Sequence, residues 1–234
     1  MVHINGRIGS MSYSFLSSIT SLSEGVEFIL GKYPYYDRDT LIDKYSNMPY
    51  SFQMIVESMK GILEINTISK ILLFDALIGN SDRHHSNWGI TVTKAFLAVE
   101  KNEKEVNVMT MSPLYDNGSS LCSYINENYI ETILKDKMKY EAIINTKSKS
   151  AIGWNNIRPI RHFELIKKLK EEYFNETIDF VKNIKKNITE QSIEAILSNF
   201  DDTIINNQMK KLLKQFIIER RNRIIEIYNL ESED

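Results

Sequence analysis

After Thr67 the sequence runs I-S-K-I-L-L-F-D-A-L-I-G, with Ile68, Ile71, Leu72, Ala76 and Ile78 at helical spacing and Leu73, Phe74 and Leu77 filling the faces between them. A helix that is apolar nearly all round has little surface to offer water, so it belongs in the middle of the molecule. Thr67 is expected to cap this helix, and Gly79 to end it, because glycine accepts the left-handed backbone of a C-cap. Asp75 interrupts the apolar surface. Either it accepts hydrogen bonds from the backbone that follows or from Arg83, or it is a partly exposed helical acid.

Directly after the helix comes a polar loop, Ile78 to Asn87, reading I-G-N-S-D-R-H-H-S-N. A carboxylate that takes the proton of an attacking hydroxyl, followed one short loop later by an amide oxygen that binds Mg²⁺, is the layout of phosphoryl transfer. Asp82 supplies the first group and Asn87 the second. The metal needs another carboxylate, and Asp116 in S-P-L-Y-D-N-G-S-S is the best candidate. Val106, Val108, Met109 and Met111 read as a strand that ends in a tight turn there. A partner strand is expected over Trp88 to Thr93, with the charged K-N-E-K-E between them as a solvated turn, so that one hairpin joins the two ends of the site. Arg83 and His84 are candidates to contact the transferring phosphoryl group, where fixed positive charge lowers the barrier; the alternative is that they hold the loop's shape. His85 is expected to face solvent. A zinc site from Asp82, His84 and His85 is disfavoured, because adjacent loop histidines point apart and no cysteines accompany them.

The D-R-H-x-x-N string at Asp82 to Asn87, followed by Y-D-x-G at Tyr115 to Gly118, resembles the C-terminal kinase lobe of the HipA-like serine/threonine kinases. The segment I-G-S-M-S-Y-S-F-L, Ile8 to Leu16, resembles the stretch after the hinge in some members. The loop string also recurs in phosphatidylinositol kinases. The resemblance implies a mainly α, protein-kinase-like C-lobe with a small β-hairpin carrying the active site. Residues 1–234 would then form a single lobe: a lead-in segment over 1–50, a catalytic core over 51–120 and a helical bundle over 138–234. It further implies ATP- and Mg²⁺-dependent phosphorylation of a protein Ser or Thr hydroxyl, and a place as the toxin of a toxin–antitoxin system. An inositol-lipid kinase is the enzymatic alternative. A catalytically inactive pseudokinase or interaction module is the non-enzymatic one.

Such kinases also need an N-terminal lobe, with a phosphate-covering loop and a lysine for the ATP phosphates. The first lysine here, Lys32, precedes Pro34 in nothing resembling a strand, and no V-A-I-K-like string exists. The chain therefore reads as a C-lobe alone. It is completed in trans by a separately encoded N-lobe, or is a degenerate relative, or uses residues 1–50 as an abbreviated nucleotide lid. Intact Asp82, Asn87 and Asp116 favour the first or third reading. The partners to expect are a protein substrate and a separate N-lobe or antitoxin protein.

Composition narrows the class. With 234 residues, 42% hydrophobic and 26% charged, the chain can bury a sizeable core. Its 29 basic residues against 31 acidic ones leave a net charge of -2, which gives no basic footprint for direct nucleic-acid binding. The single cysteine, Cys122, rules out an internal disulfide and reads as a small buried hydrophobe in a cytoplasmic protein. No stretch approaches the roughly 20 apolar residues of a membrane-spanning helix.

Elsewhere, Gly6 and Gly9 read as a turn rather than a phosphate cradle. A short helix is expected over Ser23 to Tyr33, stopped by Pro34. Another should start with Ser51 as its cap. Residues 145–156 read as a polar loop, and amphipathic helices are expected over about 161–173, 175–187, 190–199 and 206–230. Arg220, Arg221 and Arg223 are expected to place charge favourably at the end of the last helix.

Overall fold

In the computed structural model, which describes residues 2–4, 7–9, 12–99 and 102–231, the apolar stretch lies at the centre of the molecule. Ile68, Ile71, Leu72, Leu73, Ala76 and Leu77 are all buried. The strands are β1 (Val2–Ile4), β2 (Arg7–Gly9), β3 (Thr20–Glu24), β4 (Tyr36–Asp37), β5 (Ile42–Asp43), β6 (Met48–Pro49), β7 (Gly89–Val99), β8 (Asn102–Met111), β9 (Lys149–Ser150) and β10 (Ile160–Arg161). The helices are α1 (Gly25–Lys32), α2 (Phe52–Ser58), α3 (Ile65–Ile78), α4 (Ile130–Lys135), α5 (Lys137–Glu141), α6 (His162–Asn187), α7 (Glu190–Leu197) and α8 (Asn207–Ile227). The largest sheets have three strands, β3-β7-β8 and β4-β5-β6. Helices dominate the packing, and the expectation of a mainly α fold with small sheets holds. Among the described residues no helix is long and apolar enough to cross a membrane.

Local signals account for most helix ends. Ser51 caps α2 by accepting from the Met54 amide, Asn206 caps α8 through the Met209 amide, and Thr189 forms a reciprocal capping box with Ser192 ahead of α7. Helix α6 runs through both expected segments but kinks at Tyr173 (φ -134°, ψ 41°), where Thr177 Oγ1 turns back to the Tyr173 carbonyl at 2.6 Å. Helix α3 starts earlier than expected: it begins at Ile65 after Glu64, so Thr67 lies inside its first turn and caps nothing.

Gly79 ends α3 at φ 69°, and a Cβ there would lie 2.7 Å from Cζ of Phe216 on α8. Both the backbone angle and the close approach require glycine. Gly79→Ala is therefore expected to lower stability by about 2–3 kcal/mol, read from urea unfolding midpoints.

Three expectations change. Most of the K-N-E-K-E patch is strand rather than turn, because Asn102 to Glu105 form part of β8 in register with Phe96 to Val99 of β7, while Lys101 lies outside the described residues. Residues 145–156 are irregular only in part, since Asn145 and Thr146 end a π-helical turn and Lys149–Ser150 form β9, and much of the segment is buried. The Phe52 amide bonds the Gly153 carbonyl at 3.0 Å, and Trp154 stacks on Phe52 with centroids 5.4 Å apart. The arginine cluster does not serve the end of its own helix, whose last turn holds no basic residue. Arg220 is fully buried and donates to the Ala76 carbonyl at 2.6 Å, one of the last carbonyls of α3, which the helix itself leaves unpaired. Arg223 pairs with Glu141 and Glu219. Cys122 is buried as expected, and burial pushes its thiol up to about 12. Gly6 and part of the Ile8–Leu16 segment lie outside the described residues; Gly9 closes β2, opposite Val2.

Candidate active site

The loop after α3 is held by one buried ion pair. Arg83 is fully buried, and its Nη2 lies 2.9 Å from Oδ1 of Asp75, while its Nε bonds both carboxylate oxygens. Asp75 is thus the buried acceptor, not an exposed helical acid. Burial pushes its pKa up, against the opposing pull of Arg83 and Asn80. Arg83 also donates through Nη1 to the Asn87 carbonyl at 2.7 Å and to the Tyr115 carbonyl at 2.6 Å, and through Nη2 to Oδ1 of Asn117. One guanidinium therefore fastens the end of the loop to the turn that carries Asp116. Its donors meet protein acceptors, an arrangement that fits the loop-holding alternative.

Asp82 is exposed, and its side chain is free of the hydrogen bonds that shape the loop. Its backbone is what the loop uses: the amide bonds Oδ1 of Asn80 at 3.2 Å, and the carbonyl accepts from the His84 amide at 2.9 Å and from Nδ2 of Asn87 at 2.7 Å. That last bond fixes the Asn87 amide. With Nδ2 committed to the loop, Oδ1 remains for a cation. Asp116 is exposed at φ 52°, a left-handed conformation in which Asp and Asn are enriched among non-glycine residues. A hard divalent ion takes few protein oxygens and completes its shell with water and phosphate, so the Asn87 amide oxygen and the Asp116 carboxylate fit it. Among the described residues no group of three or more His, Cys, Asp or Glu gathers for a metal, at this site or any other. His84 is half-buried, and its Nδ1 accepts from the Ser86 amide at 3.2 Å, which shapes the loop.

His85 does not face solvent. It is buried, with Nδ1 3.0 Å from the Tyr36 hydroxyl, and burial followed by the nearby His84 and Arg38 charges pulls its pKa to about 4. A neutral imidazole can be buried once a hydroxyl partners it, and here it pins the β4 region to the loop.

Two further residues shape the loop without a sequence signal for that role, Asn80 within it and His162 far from it. Asn80 donates from Nδ2 to Asp75 at 3.1 Å while its Oδ1 takes the Asp82 amide. The Asn80 carbonyl lies 2.8 Å from Nε2 of His162, which sits 82 positions away. A carbonyl can only accept, so Nε2 carries the proton and Nδ1 accepts from the Ser148 hydroxyl at 2.9 Å. Burial, then the Arg220 charge, holds His162 neutral with its pKa pulled to about 3. Since the unfolded imidazole takes a proton near its ordinary value of 6.5 and the folded one does not, stability is lost as pH falls below 6.5. Wild type is expected to lose about 2 kcal/mol more between pH 7 and pH 5 than His162→Gln, measured by chemical denaturation.

The comparisons with known proteins bear on this geometry. No protein-family model matches the chain. A serine/threonine-protein kinase of Helicobacter pylori, CtkA, is 25% identical over 153 residues, covering 65% of this chain. The crystal structure of a proinflammatory kinase CtkA from the same organism superposes with a TM-score of 0.71 over 94% of this chain. The two share a fold. Identity in that superposition is 17%, and the aligned part is 71% of the CtkA chain. In the sequence comparison the chain spans 42% of the length of CtkA.

Proposed function

We propose that this chain is the C-terminal lobe of an ATP- and Mg²⁺-dependent kinase that phosphorylates a protein serine or threonine hydroxyl. The observation that carries the reading is the Arg83 clamp, which ties the loop bearing Asp82 and Asn87 to the turn bearing Asp116. Similarity to CtkA supports a kinase-like phosphotransferase with a protein acceptor. The finer HipA-like assignment rests on D-R-H-x-x-N and Y-D-x-G, and a toxin–antitoxin role follows from that resemblance alone.

In this reading Asp82 orients the acceptor hydroxyl and takes its proton. The hydroxyl oxygen forms a bond to the γ-phosphorus as the bond to the β,γ-bridging oxygen breaks, and ADP leaves with that electron pair. Asn87 Oδ1 and Asp116 would hold Mg²⁺, which neutralises charge on the phosphates. Arg83, Asp75, Asn80 and His162 are positioning residues.

An N-lobe supplied in trans has physical support in the hairpin. Among the described residues the outer edge of β8 is unpaired; β8 exposes Val108 and Met109 and its neighbour β7 exposes Phe96 and Leu97, and an apolar strand edge of this kind can recruit another sheet. Lys32 does not offer a phosphate contact in cis. It sits in α1 and pairs with Glu57 at 2.8 Å.

The test is Mg²⁺-dependent ATP binding by calorimetry, with Asp116→Asn as control. Asparagine tolerates the left-handed backbone at this position, so the variant removes the charge without straining the turn. Binding that needs Mg²⁺ and weakens at least tenfold in the variant is the expected result. Binding that is the same in both proteins would remove Asp116 from the site. Transfer to inositol lipid and to no protein would replace the protein-kinase reading with the lipid-kinase one.

A further inference from the structure

Beside the start of the loop lies a groove of about 620 Å³, lined by Gly79, Ser81, Tyr124, Tyr129, Lys147 and Ser148 among others. Ser81 immediately precedes Asp82 in the chain, so one edge of the groove adjoins the loop, although Asp82 itself does not line it. Among the described residues its lining includes lysines but no carboxylate. Of these, Lys139 is partly answered by Asp136 at 3.7 Å, whereas Lys147 is exposed and has no ion pair among the described residues.

A second observation comes from behind the floor. Arg220 is fully buried, yet no carboxylate pairs with it among the described residues. It donates to the carbonyls of Ala76 and Ile144 and, from Nη1, to Ser148 Oγ at 2.8 Å, and its Nη2 is buried with no partner. A Cβ at Gly79 would lie 3.6 Å from its Cζ. The guanidinium thus sits directly under two groove residues, Gly79 and Ser148. The rings of Phe163 and Phe216, 4.8 and 5.2 Å from its Cζ, offset part of its charge. A buried cation without a counter-ion is costly, and its field passes through low-dielectric protein into the groove.

We infer that this groove is the acceptor-peptide subsite, and that it selects a segment with an aspartate or glutamate within a few residues of the phosphorylated hydroxyl. The inference rests on the kinase reading above and adds to it the chemistry of the substrate. An acidic side chain meets Lys147 at the rim and, through the floor at Gly79 and Ser148, the field of Arg220. The exposed rings of Tyr124 and Tyr129 give the peptide backbone an apolar surface to lie on.

The full chain should be assayed with serine peptides carrying Asp, Ala or Lys at the flanking positions, by phosphate transfer and, separately, by fluorescence anisotropy of the labelled peptides. The Asp peptide is expected to exceed the Ala peptide about tenfold in kcat/KM, through KM, and Lys147→Glu should erase that preference. Lys139→Glu should act in the same direction but less, because Asp136 already answers that charge. Equal transfer to all three peptides, or a preference that survives Lys147→Glu, overturns the groove assignment and leaves the kinase reading standing. If no peptide is phosphorylated, binding decides. Acidic-peptide binding that Lys147→Glu weakens about tenfold keeps the groove and excludes only transfer by this lobe without an N-lobe added in trans, and no binding of any peptide refutes the groove.

Discussion

Asp82→Ala should lower the phosphotransfer rate by about 10²–10⁴-fold, the range that a positioned general base contributes, while leaving the fold and Mg²⁺-ATP affinity as they were. The loop's geometry makes this separation clean. Every loop contact at position 82 runs through the backbone: the amide to Asn80 and the carbonyl to His84 and Asn87. Alanine keeps all of them. The carboxylate itself is exposed, so its removal should shift stability by no more than about 0.5 kcal/mol. The measurements are single-turnover transfer to a protein acceptor, nucleotide calorimetry and a denaturation curve on the same preparation. A variant that transfers phosphate at the wild-type rate would show that Asp82 is a loop residue and nothing more. A variant that loses ATP binding as well would show that the carboxylate reaches the metal, and Asn87 and Asp116 would have to be reassigned.

What was legible in the sequence was local. The all-apolar face of α3, its glycine stop and the Ser51 cap depend on residues within a turn of one another, and the structure has each of them. Asp75 was recognisable as anomalous because an acid in an apolar helix needs a partner, and Arg83 was close enough in the chain to be named. Long-range partners were not legible. Arg220 meets Ala76 across 144 positions and His162 meets Asn80 across 82, and nothing near either residue marks it as part of the loop's support. Charge also misled. An arginine cluster reads as charge for the end of its own helix and a second histidine as solvent-facing, but Arg220 is buried by ties to carbonyls and rings, and His85 by staying neutral against Tyr36. In the charged K-N-E-K-E patch, Asn102 to Glu105 differ for another reason: strand pairing across the hairpin outweighs a local preference for turn.

The Asp75–Arg83 pair makes the strongest claim about how fold and site depend on each other. Asp75→Ala leaves Arg83 buried with only the carbonyls of Asn87 and Tyr115 and the side chain of Asn117 around it, and deprives Asn80 of its acceptor. Breaking a buried pair in this way is expected to cost about 3–5 kcal/mol, seen as a lower unfolding midpoint. Removing both charges should be milder. In Asp75→Leu/Arg83→Met no uncompensated ion remains, so much of the loss should be recovered. Activity should not follow stability, because the double variant still lacks the bonds from Arg83 to Asn87 and Tyr115 that tie the loop to the Asp116 turn. A folded double variant with Mg²⁺-ATP binding weakened at least tenfold is the expected result. A stable double variant that binds nucleotide normally would show that the pair holds up the core and that something else aligns Asn87 with Asp116. A single variant that loses less than about 1 kcal/mol would mean that water or a rearranged loop reaches Arg83, and the pair would lose its place at the centre of the site.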